Sequence, residues 1–283
     1  MKICTSIAEA RAASRQIRAE RKRLGLVPTM GALHAGHLSL VRAAKARCAA
    51  VVVSIFVNPT QFGPKEDFAK YPRPFESDCA VLEKEGADMI FAPTADEMYA
   101  KGEITWVTVE GPSEKLDGRS RPGHFRGVTT VVAKLFHGIE PEVAFFGQKD
   151  AAQLAVIRRM VRDLNFPVEI VSCPIVREPD GLAMSSRNAY LSPKERCSAL
   201  VLNRSLQEVE KAFRGGERDA RALVQSGRAV LAQEPEVRLD YFEIVDPETL
   251  DPLAAASGKS LVAVAAYVGS TRLIDNVVLE SRG

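Results

Sequence analysis

The sequence predicts an α/β protein: an open, mostly parallel sheet with helices on both faces, followed by a smaller α+β unit. Three observations predict it. Short apolar runs alternate with amphipathic stretches of helical length through the first 176 residues. Polar clusters fall just after the apolar runs, where open parallel sheets collect their ligands. Beyond Val176 the texture changes to paired helical stretches and then longer strand-like runs. A boundary in the loop 177–181 gives two expected units, residues 1–176 and 177–283.

The elements follow in order. Residues 24–27 form a short apolar run that ends in Pro28-Thr29-Met30-Gly31. Residues 37–48 predict a helix, with Leu38, Val41 and Ala44 near helical spacing. Residues 50–57 are apolar and β-branched, the pattern of a strand buried on both faces. Asn58-Pro59 stops it, because proline cannot donate to a ladder. A helix is expected over 78–85, a strand over 88–91, and an added strand over the alternating residues 105–109. Residues 123–137 predict an amphipathic helix, 143–146 a strand, 150–164 a helix and 168–172 a strand. In the second unit, Ser192-Pro193-Lys194-Glu195 carries an N-cap serine, a proline at the first helical position and a capping-box glutamate. Helix is expected from there to about residue 213 and again over 217–232. Strands are expected over 241–245, 261–268 and near 276–279.

Composition excludes several classes. The 283 residues suit one large or two modest domains. Lys plus Arg number 38 and Asp plus Glu 36, and a net charge of +2 argues against a general nucleic-acid surface. At 46% hydrophobic and 26% charged, the chain reads as a soluble globule able to bury a core without staples. Cys4, Cys48, Cys79, Cys173 and Cys197 are dispersed with no Cys-x-x-Cys pair, so free thiols in a reducing, cytoplasmic setting are expected. The first twenty residues lack the apolar run of a secretory signal, and the apolar stretch 261–268 is too short to span a bilayer. No nucleic-acid or membrane partner is expected.

Four clusters carry chemistry. In the segment 28–37, glycines permit close backbone approach, and a helix beginning near His37 turns free N–H groups towards an anion. His34 and His37 can hydrogen-bond phosphate oxygens, and an ordinary imidazole there carries charge near neutral pH. The plain alternative is one capping histidine and one exposed one. After the next strand, Asn58 and Gln61 suit a polyhydroxylated or carboxylate ligand, or simply form an Asn-Pro turn with a solvated glutamine. Gly147-Gln148-Lys149-Asp150 puts a lysine at a strand end, with Asp150 as a helix cap and Gln153 a turn further on. Capping plus a surface lysine is the alternative there. Met184-Ser185-Ser186-Arg187-Asn188 offers hydroxyls and a guanidinium that could close over a polyphosphate, or an ordinary Ser/Asn turn. The basic stretch 118–126 reads as a solvated loop flanking the cleft. No Walker loop, zinc-helix motif or serine elbow is present.

The His34-x-Gly36-His37 signature resembles the nucleotidyltransferase superfamily, which shares it with class I aminoacyl-tRNA synthetases. Asn58-Pro59-x-Gln61-Phe62, Tyr71-Pro72-Arg73, Gly147-Gln148-Lys149-Asp150 and Ser185-Ser186-Arg187-Asn188, in this order and spacing, closely resemble the pantothenate synthetase family. The match covers most of the first two-thirds of the chain. The resemblance implies a Rossmann-like amino-terminal domain and a smaller carboxy-terminal lid. It implies ATP-dependent condensation of pantoate with β-alanine through a pantoyl adenylate, releasing AMP and pyrophosphate, with Mg2+ and a homodimer.

By carry-over, Met30, Gly31, Ala32, Leu33, His34, Ala35, Gly36 and His37 would hold ATP. Gly147, Gln148, Lys149, Asp150, the backbone of Val176, and Met184, Ser185, Ser186 and Arg187 would complete that site. His34, His37 and Lys149 would be catalytic. Gln61 and Gln153 would grip pantoate, with Gln61 also near β-alanine, and Asp78 would lie near the magnesium. Ala152 and Ser77 depart from the family pattern, and the latter leaves the metal to phosphates and water. Two rival readings stay open: a nucleotidyltransferase that releases pyrophosphate and stops, and a non-catalytic nucleotide- or RNA-binding module.

Overall fold

In the computed structural model, residues 1–20, 22–64 and 66–280 are described. Six parallel strands form the main sheet: β1 (Lys2–Cys4), β2 (Leu24–Thr29), β3 (Ala50–Ile55), β4 (Met89–Phe91), β5 (Val143–Gly147) and β6 (Glu169–Cys173). Their spatial order is β1-β4-β3-β2-β5-β6. The helices of this part are α1 (Ile7–Ala19), α2 (Ala35–Arg47), α3 (Phe75–Lys84), α4 (Ala95–Met98), α5 (Asp117–Ser120), α6 (His124–Ile139) and α7 (Ala151–Asp163).

Alternation within the strands assigns the two faces. Leu24, Leu26, Val52, Ala144 and Phe146 pack with α1, α6 and α7. Val27, Val51, Val53, Val143 and Phe145 point the other way, against Leu40, Val41 and Leu82 of α2 and α3. Strand order reverses between β2 and β5, so the loops leaving those strands diverge and open a crevice at their carboxyl ends.

The remaining elements are α8 (Pro193–Ala199), α9 (Val201–Arg214), α10 (Ala220–Leu231), β7 (Val237–Val245), β8 (Lys259–Val268) and β9 (Thr271–Glu280). The last three form an antiparallel sheet in the order β7-β8-β9. One face, with Phe242, Ile244, Val262 and Val264, packs on α9 and α10. The other, with Tyr241, Leu261, Ala263 and Ala265, joins the core of the first sheet. That double burial explains why β8 reads as one unbroken apolar run; each fully buried valine or leucine contributes about 1.5–3 kcal/mol.

Several expectations need correction. Residues 105–109 form no strand: the Val107 amide and carbonyl turn to the Thr130 and Thr129 hydroxyls of α6 (3.1 and 2.6 Å). The expected helix over 193–213 breaks at Leu200, whose amide bonds to Cys197 in a tightened turn. Helix α10 starts at Ala220, because Glu217 turns its carboxylate to the Arg218 and Asp219 amides and Asp219 caps the helix. Strand β1 and helix α1 are not anticipated by the sequence pattern. The Ser192–Glu195 capping box with Pro193 is present as expected.

Candidate active site

The first cluster sits on the tight turn between β2 and α2. Gly31 and Ala32 both take left-handed φ angles (79° and 52°). This turns the Ala32 and Leu33 amides together onto the Asp78 carboxylate, at 2.8 and 2.9 Å. A methyl on Gly31 would lie 2.9 Å from Asp78 Oδ2, so glycine is needed for the close approach as well as for its φ. Asp78 is 3% exposed, and burial raises its pKa. It clamps the loop from beneath and does not line the crevice. Ala32 and Leu33, expected to hold ATP, thus have their amides already on Asp78.

Helix α2 begins at Ala35, two residues before the expected start, and His34 is its cap. Its Nδ1 accepts the Gly36 amide (3.2 Å), and His37 Nδ1 faces the His34 amide (3.4 Å). Both rings therefore accept through Nδ1 and keep their hydrogen on Nε2. The rings lie 4.1 Å apart and both border the crevice. Burial, then Lys149, lowers the His34 pKa to about 4; burial, then His34, lowers that of His37 to about 3. At neutral pH they are uncharged Nε2–H donors, contrary to the expected ionisable pair.

The second cluster is fixed by a hydrogen-bond chain. Asn58, 1% exposed, accepts from the Thr60 amide and the Thr60 and Tyr99 hydroxyls, and donates to the Gly127 carbonyl (3.1 Å) and to Gln61 Oε1 (3.1 Å). That fixes the orientation of both amides. Gln61 Nε2 is left towards Met30 Sδ (3.0 Å) on the crevice wall, presenting donors to a ligand. Glycine at 127 lets α6 approach so closely that a methyl there would sit 2.4 Å from the Thr60 carbonyl oxygen. The stretch 118–126 is not a solvated loop. Arg121 forks onto Glu66 (2.7 and 2.8 Å), and His124 is buried.

Lys149, in the 3-10 turn that follows β5, and Gln153, on α7, enter the same crevice. The only carboxylate within 4 Å of the Lys149 ammonium, among the described residues, is Asp150 at 3.6 Å. Asp150 occupies the cap position of α7 but makes no side-chain cap bond. Gln148 turns away, bonding Ser172 and Asn276, so only its neighbours Gly147, Lys149 and Asp150 line the space. Val176, Met184, Ser185, Ser186 and Arg187 close the opposite side. Ser186 donates to the Ala32 carbonyl (3.2 Å), and Arg187 forks onto Asp67 (3.0 and 3.0 Å). The guanidinium expected on phosphate is thus held by a carboxylate of the facing loop.

His34, His37, Lys149, Gln61 and Gln153 therefore converge on one crevice, while Gly31, Ala32, Leu33, Ala35, Gln148 and Asp78 stand behind it. Sequence reasoning misses the apolar wall of Val128, Val131, Val132 and Leu135. Their i, i+3, i+4, i+7 spacing is that of any core-facing helix, so nothing in it announces a site. Tyr71, 5% exposed, also lines the crevice.

The donor set does not fit a protein-held metal. Among the described residues no three His, Cys, Asp or Glu side chains cluster to hold one. Asp78 already serves two amides.

Comparison with known proteins places the whole chain beside one family. A family model described as pantoate-beta-alanine ligase matches residues 2–278. Pantothenate synthetase of Acidobacterium capsulatum is 62% identical over 290 residues, covering 99% of this chain and 97% of its own. The crystal structure of pantothenate synthetase from Thermus thermophilus superposes with a TM-score of 0.93 at 49% identity, covering 98% of this chain and 99% of that one. The pantoate-beta-alanine ligase of Francisella tularensis, complexed with beta-gamma ATP and beta-alanine, gives 0.81 at 31% identity over 98% and 97%.

Proposed function

The chain belongs to the pantoate–β-alanine ligase family, and from that premise we propose how its crevice performs the ATP-driven condensation of pantoate with β-alanine. A carboxylate is a poor acyl donor, because its leaving group would be oxide. The pantoate carboxylate oxygen therefore attacks the α-phosphorus of ATP, and the bond to the bridging oxygen breaks. Pyrophosphate leaves with the electron pair. The mixed anhydride then meets the neutral amine of β-alanine at its acyl carbon; the amide forms, a proton is released and AMP departs.

The observation that carries this assignment is the convergence of two Nε2–H donors, one ammonium and two amide side chains in a single crevice. Lys149 meets the charge that develops on the departing pyrophosphate, and His34 and His37 donate to phosphate oxygens. Gln61 and Gln153 hold pantoate, with Gln61 also beside the β-alanine site. Residues 177–283 act as the lid that keeps water from the anhydride, through the segment 184–187. Arg187 leaves Asp67 for the nucleotide as the site fills. Magnesium would be held by the triphosphate and water rather than by side chains of this protein, and would neutralise phosphate charge there.

Two wider features belong to the same reading. A homodimer is supported by the extended residues 104–109, where Ile104 is 87% and Trp106 42% exposed. Among the described residues, only Val107 of that run has its main chain hydrogen-bonded; a second copy can satisfy such an edge. Five unpaired thiols suit the cytoplasm.

The test mixes pure protein with ATP, magnesium, pantoate and β-alanine and omits each in turn. Pyrophosphate should need pantoate, and AMP release should need β-alanine as well. Pyrophosphate release indifferent to β-alanine, with no AMP formed, would instead mark a nucleotidyltransferase.

A further inference from the structure

Gln61 closes a 3-10 turn of only three residues, Pro59–Gln61. Its main-chain carbonyl lies past the last hydrogen bond of that turn and needs an outside donor. His124, the first residue of α6, and Arg121, in the turn between α5 and α6, supply it. His124 Nδ1 lies 2.8 Å from this oxygen, and Arg121 Nη2 lies 3.4 Å away.

The chemistry of the neighbours fixes the ring's hydrogen. A carbonyl only accepts, so Nδ1 must carry the proton. A guanidinium only donates, and Arg121 Nη1 stands 2.9 Å from Nε2, so Nε2 must be bare. Burial, then Arg121, lowers the His124 pKa to about 4, in keeping with a neutral ring. Arg121 is itself anchored by its fork onto Glu66, further along the loop that leaves the turn. The ring and the guanidinium together tie Gln61 and Glu66 to α6 and to the turn just before it.

We propose that His124 is a positioning residue of the reaction, a neutral Nδ1–H donor locked by Arg121 that sets where the Gln61 side chain meets pantoate. This rests on the reading of Gln61 as a pantoate ligand. The path is short. His124 and Arg121 hold the Gln61 main chain, while Asn58 orients its side-chain amide. Asn58 is in turn fixed by the Gly127 carbonyl, three residues after His124 on the same first turn of α6. The first turn of α6, with Arg121 just ahead of it, therefore sets both the backbone and the side chain of Gln61.

The pair His124→Asn and His124→Asp tests this, since asparagine keeps a donor near the Nδ1 position and aspartate offers none. Expected for the asparagine variant is a pantoate KM within about threefold of the parent. For the aspartate variant it rises roughly tenfold or more, the scale of one lost buried hydrogen bond. The ATP KM should stay within about twofold in both. His124→Phe, which keeps the ring without a donor, should follow aspartate and serves if the aspartate variant does not fold. Equal pantoate KM values for donor and non-donor variants, or an equal rise in the ATP KM, would overturn the proposal. Gln61→Ala separates the premise: if it leaves pantoate affinity unchanged, the ligand assignment of Gln61 fails. If it weakens pantoate while the His124 series stays flat, only the role of His124 fails.

Discussion

Gly127→Ala puts the closeness of α6 to the turn that carries Gln61 under direct test. Inside a helix this exchange ordinarily stabilises by about 1 kcal/mol. Here the new methyl would lie 2.4 Å from the Thr60 carbonyl oxygen, 2.6 Å from its carbon and 2.7 Å from the Gln61 amide nitrogen. Those atoms are main chain, and the turn must retreat by about 1 Å to reach ordinary contact. Overpacking of this kind costs about 1–3 kcal/mol. The net expectation is a loss of about 1 kcal/mol, or roughly 2–4 °C in Tm for a chain of this size. Moving Gln61 by about 1 Å should raise the pantoate KM about 10- to 100-fold and leave the ATP KM unchanged. The control is Gly138→Ala on the same helix, where the methyl meets only Ile7 Cγ2 at 3.5 Å. Initial rates of AMP formation against pantoate, with thermal melts, compare the two. A Gly127→Ala protein that is stabilised like the control, with its pantoate KM intact, would refute the reasoning.

His37→Ala and Lys149→Ala should each lower adenylate formation by about two orders of magnitude or more, the scale of one lost transition-state donor; near-normal pantoate-dependent pyrophosphate release would remove them from the mechanism. Asp78→Asn should raise the ATP KM and lower stability by about 1–3 kcal/mol, since one of two buried amides loses its acceptor. The magnesium concentration for half-maximal rate should not move, and a shift in that alone would make Asp78 a metal ligand. His34, His37 and His124 all have folded pKa values of about 3 to 4, below the unfolded value near 6.5. The unfolded chain therefore takes up protons first as pH falls. Their share of stability is complete above about pH 6.5 and drains away towards pH 4, which urea unfolding at stepped pH would show; a flat profile across that window would contradict the neutral rings.

Strands with continuous β-branched runs are legible in the sequence, because a central parallel strand is buried on both faces and its residues must say so. Residues 105–109 alternate just as well, yet the hydroxyls of Thr129 and Thr130 capture Val107. Long-range partners of this kind leave no mark in a local pattern. Helix α1 is hidden for the opposite reason: its buried positions are Ala10, Ala13 and Ser14, too small to make a stripe. Its capping box, Ser6 with Glu9, is the available signal. At the site, the polar residues that face the crevice are legible through their types and their places after strands, whereas its apolar wall on α6 is not. What each one does there depends on partners far away in sequence. Asp67 holds Arg187 across 120 residues, and Asp78 holds the Ala32 and Leu33 amides across 46 and 45.

On the proposed function, the two readings of the histidine pair, helix cap and phosphate ligand, would be one device. Two imidazoliums 4.1 Å apart in a buried crevice would repel each other and lose their hydration. Accepting the helix amides through Nδ1 avoids both penalties, since a ring that accepts at Nδ1 is neutral and must donate from Nε2. Capping therefore sets the tautomer that phosphate binding would require and would aim it before substrate arrives, with no reorganisation during the reaction. It also divides the labour. On the proposed function the rings would supply direction, and the charge would come from Lys149, whose one close carboxylate among the described residues lies 3.6 Å away, and from Arg187 if it exchanges Asp67 for phosphate. On that division, substituting Lys149 removes charge that neither histidine can replace at neutral pH, whereas raising the proton concentration to charge the rings would break the cap that positions them.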